Sequence, residues 1–199
     1  GLDILDPASF LTSKLSYDFI NRIIDENYNK NIIFTELYSD YNDSIISYKK
    51  FYKDIIKTIN FKNIYTPEKS LFNETIYQDI DELAKDIIDI TNKLDSIALR
   101  LSGIIDAPTS CKLDVNDKHG YYLYCTKKRS TILHKRFKNI PNHILNIRDS
   151  NENILFEIPV EDFTYKTKDS NNVFIECSEI NELTDILESS VRKMKDLNE

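Results

Sequence analysis

Apolar residues recur at alternating steps of four and three from Ile76 through Ile80, Leu83, Ile87, Ile90, Leu94, Ile97, Leu101 and Ile104. This heptad seam predicts one straight helix of about 30 residues, about 45 Å long at 1.5 Å per residue. A stripe of that length needs an apolar partner along it. Ile180, Leu183, Leu187, Val191, Met194 and Leu197 repeat at three or four residues and supply one. The two helices are expected to pair antiparallel, with 106–175 as an excursion at their tip. Asp106-Ala107-Pro108 ends the first of them, because the residue before a proline is biased out of the helical region.

Upstream, residues 1–60 read as short helices. Asp6-Pro7 combines a capping side chain with a first-turn proline, and Leu15, Phe19, Ile20, Ile23 and Ile24 follow at helical spacing. Asp43 or Ser44 starts another helix carrying Ile46, Phe51, Ile55, Ile56 and Ile59 on one side. Tyr38, Tyr41, Tyr48 and Tyr52 suit amphipathic packing better than a base-stacking platform. The stretch 61–70, with Pro67 inside it, is a connection.

The excursion has a different texture. His119-Gly-Tyr-Tyr-Leu-Tyr-Cys-Thr126 is rich in strand-forming aromatics, and Ile154–Ile158, Phe163–Lys166 and Val173–Cys177 are further strand-like runs. Asp149-Ser-Asn-Glu-Asn153 and Asp169-Ser-Asn-Asn172 have turn composition. The expected fold is α+β, a helical core and two long antiparallel helices with a small antiparallel β unit at their tip. Its expected segments are a helical core piece over 1–70, a descending helix over 71–105, a β-rich insertion over 106–177 and a returning helix over 178–199.

Charge alters this picture. The 199-residue chain carries 26 Lys+Arg and 33 Asp+Glu, a net charge of −7, which by itself argues against a phosphate-rich partner. The total hides a division. From Lys112 to Arg148 there are nine basic residues, opposed only by Asp114 and Asp117, for a local +7; the remainder holds 17 basic and 31 acidic residues, or −14. No acidic residue occurs between Lys118 and Arg148. A basic cluster on an acidic chain is the footprint of a phosphate-binding surface. Lys127, Lys128, Arg129, Lys135 and Arg136 are the expected contacts, joined by Lys166, Lys168, Asn171 and Asn172 if the sheet brings the second turn beside them. No recognition-helix or RNA-binding motif accompanies them, so backbone contact without base readout is expected.

Catalytic and metal chemistry find less support. Cys111, His119, Cys125 and His134 form a C-x7-H-x5-C-x8-H order that matches no usual zinc spacing, and neither Cys111 nor Cys125 has the flanks of a catalytic thiol. The three glycines, Gly1, Gly103 and Gly120, leave no phosphate-cradling loop. No metal, cofactor or catalytic residue is expected in these residues. The three cysteines, odd in number and widely spaced, suggest a reducing intracellular setting, and no segment reads as a signal peptide or a membrane span. The 29 Ile and 19 Asn, against 4 Val, 4 Ala and 3 Gly, reflect an AT-rich coding style. The chain starts at Gly1, and its second seam runs into Glu199. A piece of a longer protein is therefore expected.

Taken in order, the heptad helix, Lys118-His-Gly-Tyr-Tyr-Leu123, the basic segment, Tyr165-Lys-Thr-Lys-Asp-Ser-Asn-Asn-Val-Phe174 and Glu179-Ile-Asn-Glu-Leu183 resemble the lever and clamp region of MutS-type DNA mismatch-repair proteins. Phe72-Asn-Glu-Thr-Ile-Tyr-Gln-Asp-Ile-Asp-Glu-Leu83 is similar to that family's entry into the descending lever. The resemblance spans essentially the whole chain, Gly120-Tyr121-Tyr122 being its most specific element. About 40 residues between Tyr124 and Tyr165 exceed the usual bacterial clamp, and with the coding style this suggests a divergent, giant-virus-like member. The resemblance implies double-stranded DNA as partner, a dimer that encircles it, and an ATPase domain using ATP and Mg2+ in the parent protein. It places the protein in cytoplasm or nucleus, or in a viral factory or virion. The family's Phe-x-Glu mismatch reader is matched by Phe34-Thr-Glu36 and Phe72-Asn-Glu74 only in helical-core and lever context, which reads as chance. The competing reading is a coiled-coil interaction or scaffold module whose basic tip meets an acidic protein.

Overall fold

The computed structural model describes residues 42–149 and 151–198. The Asp6-Pro7 helix start, the helix over 15–24, Tyr38, Tyr41 and Phe34-Thr-Glu36 lie outside the described residues, as do the side chains of Ile46 and Tyr48. The chain divides into two compact units, one of residues 1–78 with 198–199 and one of residues 79–197.

In the first unit, α1 (Asn42–Thr58) is the helix expected after Asp43. Ile55 and Ile59 are half-buried, but Phe51 and Ile56 from the same periodic set are 59% and 43% exposed. The Asn73 side-chain amide donates to the carbonyls of Ile56, Lys57 and Ile59 at 3.0, 2.9 and 3.2 Å, so a distant asparagine satisfies the open carbonyls at the end of α1. The connection over 61–70 contains a short 3-10 turn, Phe61–Asn63. Asn198 holds it through bonds to Leu71 N–H, Pro67 O and Lys69 O of 2.9–3.0 Å.

The second unit is built on α2 (Gln78–Ile105) and α4 (Ser178–Asn198), the two helices that the seams predict. Asp79 and Asp81 in the first turn of α2 suit the positive end of its dipole. The helix stops where Asp106 takes a left-handed φ of 56° ahead of Pro108. The four-stranded antiparallel sheet has the order β1 (Lys112–Asn116), β2 (Gly120–Thr126), β6 (Asn172–Glu176), β5 (Thr164–Thr167). A separate hairpin pairs β3 (Ile144–Arg148) with β4 (Ile154–Pro159). The architecture is thus mixed α+β, with four helices and two small sheets among the described residues.

Two expectations from the sequence need correction. The segment read as β-rich contains a helix, α3 (Lys127–Phe137), which follows β2 without a turn because Thr126 caps it, its Oγ1 accepting from Arg129 N–H at 3.3 Å. The strands β1 and β3 are likewise not among the expected ones. In addition, the seams do not close on each other alone. Ile90 to Ile105 of α2 and Ile180 to Val191 of α4 share one cluster with Leu123, Cys125, Val173 and Ile175 of the larger sheet, Leu145, Ile147 and Ile158 of the hairpin, and Leu133 and Phe137 of α3. The sheets therefore pack against the helices through a common core.

Both expected turns form by one device. Asp169 Oδ1 accepts from the N–H groups of Asn171 and Asn172 at 2.8 and 2.9 Å, and Asp149 Oδ1 accepts from those of Asn151 and Asn153 at 2.8 and 2.9 Å. These bonds favour the ionised carboxylate. The Asn172 side-chain amide, helped by the backbone N–H groups, holds Asp169 below its usual value, and the Asn153 side-chain amide does the same for Asp149.

A depressed native pKa stabilises fully above the unfolded value, 3.8 for aspartate, and that contribution is lost as pH falls through the native value. In an NMR acid titration the amide protons of Asn171, Asn172, Asn151 and Asn153 should therefore shift with midpoints below 3.8; midpoints above it would contradict the turn chemistry. A second expectation concerns Gly120, which opens β2 at φ 63° with the Glu188 carboxylate where a Cβ would stand. Gly120→Ala should cost about 1 kcal/mol in urea unfolding. Adding Glu188→Ala should recover little of it, since the flexible carboxylate can move aside and the backbone strain remains.

Candidate nucleic-acid interface

The basic segment folds into α3, and its sequence sorts charge by face. At about 100° per residue, Lys127, Lys128, Thr131, His134, Lys135 and Lys138 fall on one side and are all exposed, while Leu133 and Phe137 on the other side are buried. Lys138 is the C-cap residue and keeps helical φ and ψ of −61° and −20°, so the stripe continues to it. The four lysines span about 16 Å of helix axis, 1.5 Å for each of eleven steps. Neither end of α3 carries acid, and its first turn, where the helix dipole is positive, holds Lys127 and Lys128. This end attracts anions.

The two arginines of α3 are half-buried and bond within the chain. Arg129 Nη1 donates to Ser110 O at 3.4 Å. Arg136 Nη1 donates to Ile104 O and pairs with the Asp106 carboxylate. Both therefore bind the segment that follows α2. In Arg136 one nitrogen, Nη1, serves both a carbonyl and a carboxylate. The stripe of lysines is left to water, each a compact, strongly hydrated charge.

The β5–β6 turn does come to the start of α3, where Lys127 N–H donates to Asn171 O at 2.9 Å. Its side chains are mostly engaged within the protein. Lys166 pairs with Glu176 at 2.6 Å. Lys168 lies over the rings of Tyr122 and Tyr124, 5.1 and 4.7 Å from their centroids, and 3.9 Å from Asp169. The Asn172 amide bonds the Asp169 carboxylate, while Asn171 is exposed. Of the nine residues expected to meet phosphate, Lys127, Lys128 and Lys135 share the exposed face, and Asn171 lies at its N-terminal end. Arg129, Arg136, Lys166, Lys168 and Asn172 have partners in the chain.

Lys138, counted in the basic cluster but not among the expected contacts, is the fourth lysine of this face. Its signal is helical, since Leu133, Phe137 and Ile140 recur every three or four residues and set Lys138 opposite them. The histidines do not converge. His119 packs against Phe174, 5.0 Å between ring centroids, and His134 is exposed on α3. No group of three or more His, Cys, Asp or Glu side chains among the described residues is arranged to hold a metal, and no described helix is long and apolar enough to cross a membrane.

The division of roles has a measurable consequence. Arg129→Ala and Arg136→Ala should each lower stability to urea by about 1 kcal/mol, because each takes a donor from a part-buried carbonyl oxygen. Lys127→Ala and Lys135→Ala should stay within about 0.5 kcal/mol of the parent chain. Equal losses for the two sets would remove the distinction between anchoring arginines and solvent-facing lysines. The chain matches no model of a known protein family and no curated protein.

Proposed function

We propose that this chain is the lever and clamp region of a MutS-type mismatch-repair protein and that the exposed face of α3 binds duplex DNA through its phosphates. The observation that carries the reading is the face itself: Lys127, Lys128, Lys135 and Lys138 on one side of a helix, in a stretch without an acidic residue from Lys118 to Arg148. A helix lying along one strand would set this stripe of about 16 Å against consecutive phosphates of that strand. Asn171 adds an amide at its N-terminal end. Binding of this kind neutralises charge and reads no base edge, so it is equal for matched and mismatched duplexes.

The order of elements supports the family assignment. A 28-residue helix, a Gly-Tyr-Tyr strand, a returning hairpin and a second helix containing Glu182-Leu183 follow one another as in a lever and clamp. On this reading the parent protein is a dimer around DNA, and its ATP and Mg2+ chemistry belongs to another domain.

Anisotropy of a labelled duplex, titrated with this chain at several salt concentrations, tests the proposal. Replacing Lys127, Lys128, Lys135 and Lys138 together by Ala should weaken binding to every duplex sequence alike. It should also flatten the slope of log K against log salt by about 0.9 for each phosphate no longer neutralised, up to about 3.6. Unchanged affinity and slope would reject α3 as the DNA-binding face. Affinity for a polyglutamate peptide with none for DNA would turn the reading to an acidic protein partner.

A further inference from the structure

Cys111 and Cys125 are both buried in the core of the second unit. The β1–β2 ladder pairs Lys112 with Tyr124, and the next pair along the same register is Cys111 with Cys125. Opposed residues on antiparallel strands have Cα atoms about 4.5–5.5 Å apart, inside the range of about 4.4–6.8 Å that a disulfide spans. Both residues are free, buried thiols close enough to interact, and the Cys125 S–H donates to Thr126 O at 3.5 Å.

The surroundings of the two thiols differ. Cys111 N–H donates to Ser102 Oγ at 2.9 Å, and the Arg129 guanidinium is anchored next door on Ser110 O. The Cys111 thiol is held below its usual range chiefly by its interaction with Cys125, with help from Ser102 and Arg129 against the effect of burial; the same interaction and burial push Cys125 up. Cys111 also forms part of the wall of an open groove of about 920 Å3, together with Leu99, Ser102, Lys112 and Leu155. The groove thus reaches the residue that carries the more acidic thiol. Tyr165 Oη is buried without a hydrogen-bond partner and lies near enough to feel both sulfurs. Cys177 has no part in this pair, and burial raises its thiol to about 12.

We propose that Cys111 and Cys125 form a redox-active dithiol that hydrogen peroxide closes to an intramolecular disulfide. Cys111, as thiolate, attacks a peroxide oxygen; the O–O bond breaks, Cys111 becomes a sulfenic acid, and the released hydroxide takes up the proton the thiol had lost. The Cys125 thiol then attacks the Cys111 sulfur; the S–S bond forms, the S–O bond breaks, and water leaves with the Cys125 proton. Two thiols are oxidised by two electrons in all, and one peroxide is reduced to two waters. The new bond ties the start of β1 to the residue before Thr126, the cap of α3.

The test treats the fully reduced chain with stoichiometric hydrogen peroxide, quenches with iodoacetamide in denaturant and maps the peptides by mass spectrometry. Two of the three thiols should be lost, with a mass decrease of about 2 Da and a Cys111–Cys125 cross-linked peptide that dithiothreitol reverses. Cys177 should remain alkylatable throughout. Cys125→Ser should leave Cys111 as a dimedone-reactive sulfenic acid, and Cys177→Ser should give the parent cross-link. Retention of all three thiols under conditions that oxidise free cysteine would overturn the proposal. So would a cross-link through Cys177 or between two chains, or oxygen addition without a cross-link. The map of the unsubstituted chain stands even if a variant fails to fold.

Discussion

Burial of one stripe of α2, from Ile90 to Ile105, organises the second unit. Leu94, Ile97 and Leu101 are wholly buried, and each large aliphatic side chain removed from water contributes about 1.5–3 kcal/mol. Because the same cluster contains residues of both sheets, α3 and α4, the stripe is a shared surface and the other elements take their places on it. The point at which α2 stops has a second effect. The carbonyl of Ile104, the carboxylate of Asp106 and the carbonyl of Ser110 are the atoms that receive Arg136 and Arg129. The left-handed turn at Asp106 thereby sets which way α3 faces.

A basic segment of one sign would repel itself if all its charges lay together. Here the guanidinium groups lie near carbonyl and carboxylate oxygens at the end of α2, where negative partial charge gathers, and the ammonium groups lie in water. The arrangement separates two jobs that composition merges: holding the helix and presenting charge. Arg136 reaches two acceptors, Ile104 O and the Asp106 carboxylate, through Nη1, whereas the lysines need only be long, charged and solvated.

Much of the fold was legible in one dimension. The seams of α2 and α4 have a helical period sustained over many turns, and both Asp-led turns carry their own hydrogen-bond acceptor, so local chemistry suffices. The helix α3 was less legible. It follows β2 directly, its cap is Thr126, a residue equally at home in a strand, and the apolar positions Leu133 and Phe137 are scattered among charges. The candidate interface was legible as a concentration of positive charge, but its internal division was not. That division depends on acceptors far along the chain, such as Ile104 and Asp106 for Arg136 and Glu176 for Lys166, which no pattern near the basic residues discloses.

The separation of charge by element makes the second unit a permanent electric dipole. The helix α3 carries five basic residues and no acid, while α2 carries six acidic residues against three basic and α4 five against three. A common core fixes these elements to one another. Such a body experiences a torque in the field of an anionic polymer at distances up to about a Debye length, about 8–10 Å at physiological salt. On the proposed reading it would be turned before it touches, so encounters that begin from random orientations would be funnelled to one facing, and the rate of productive collision would be a property of the whole charge layout.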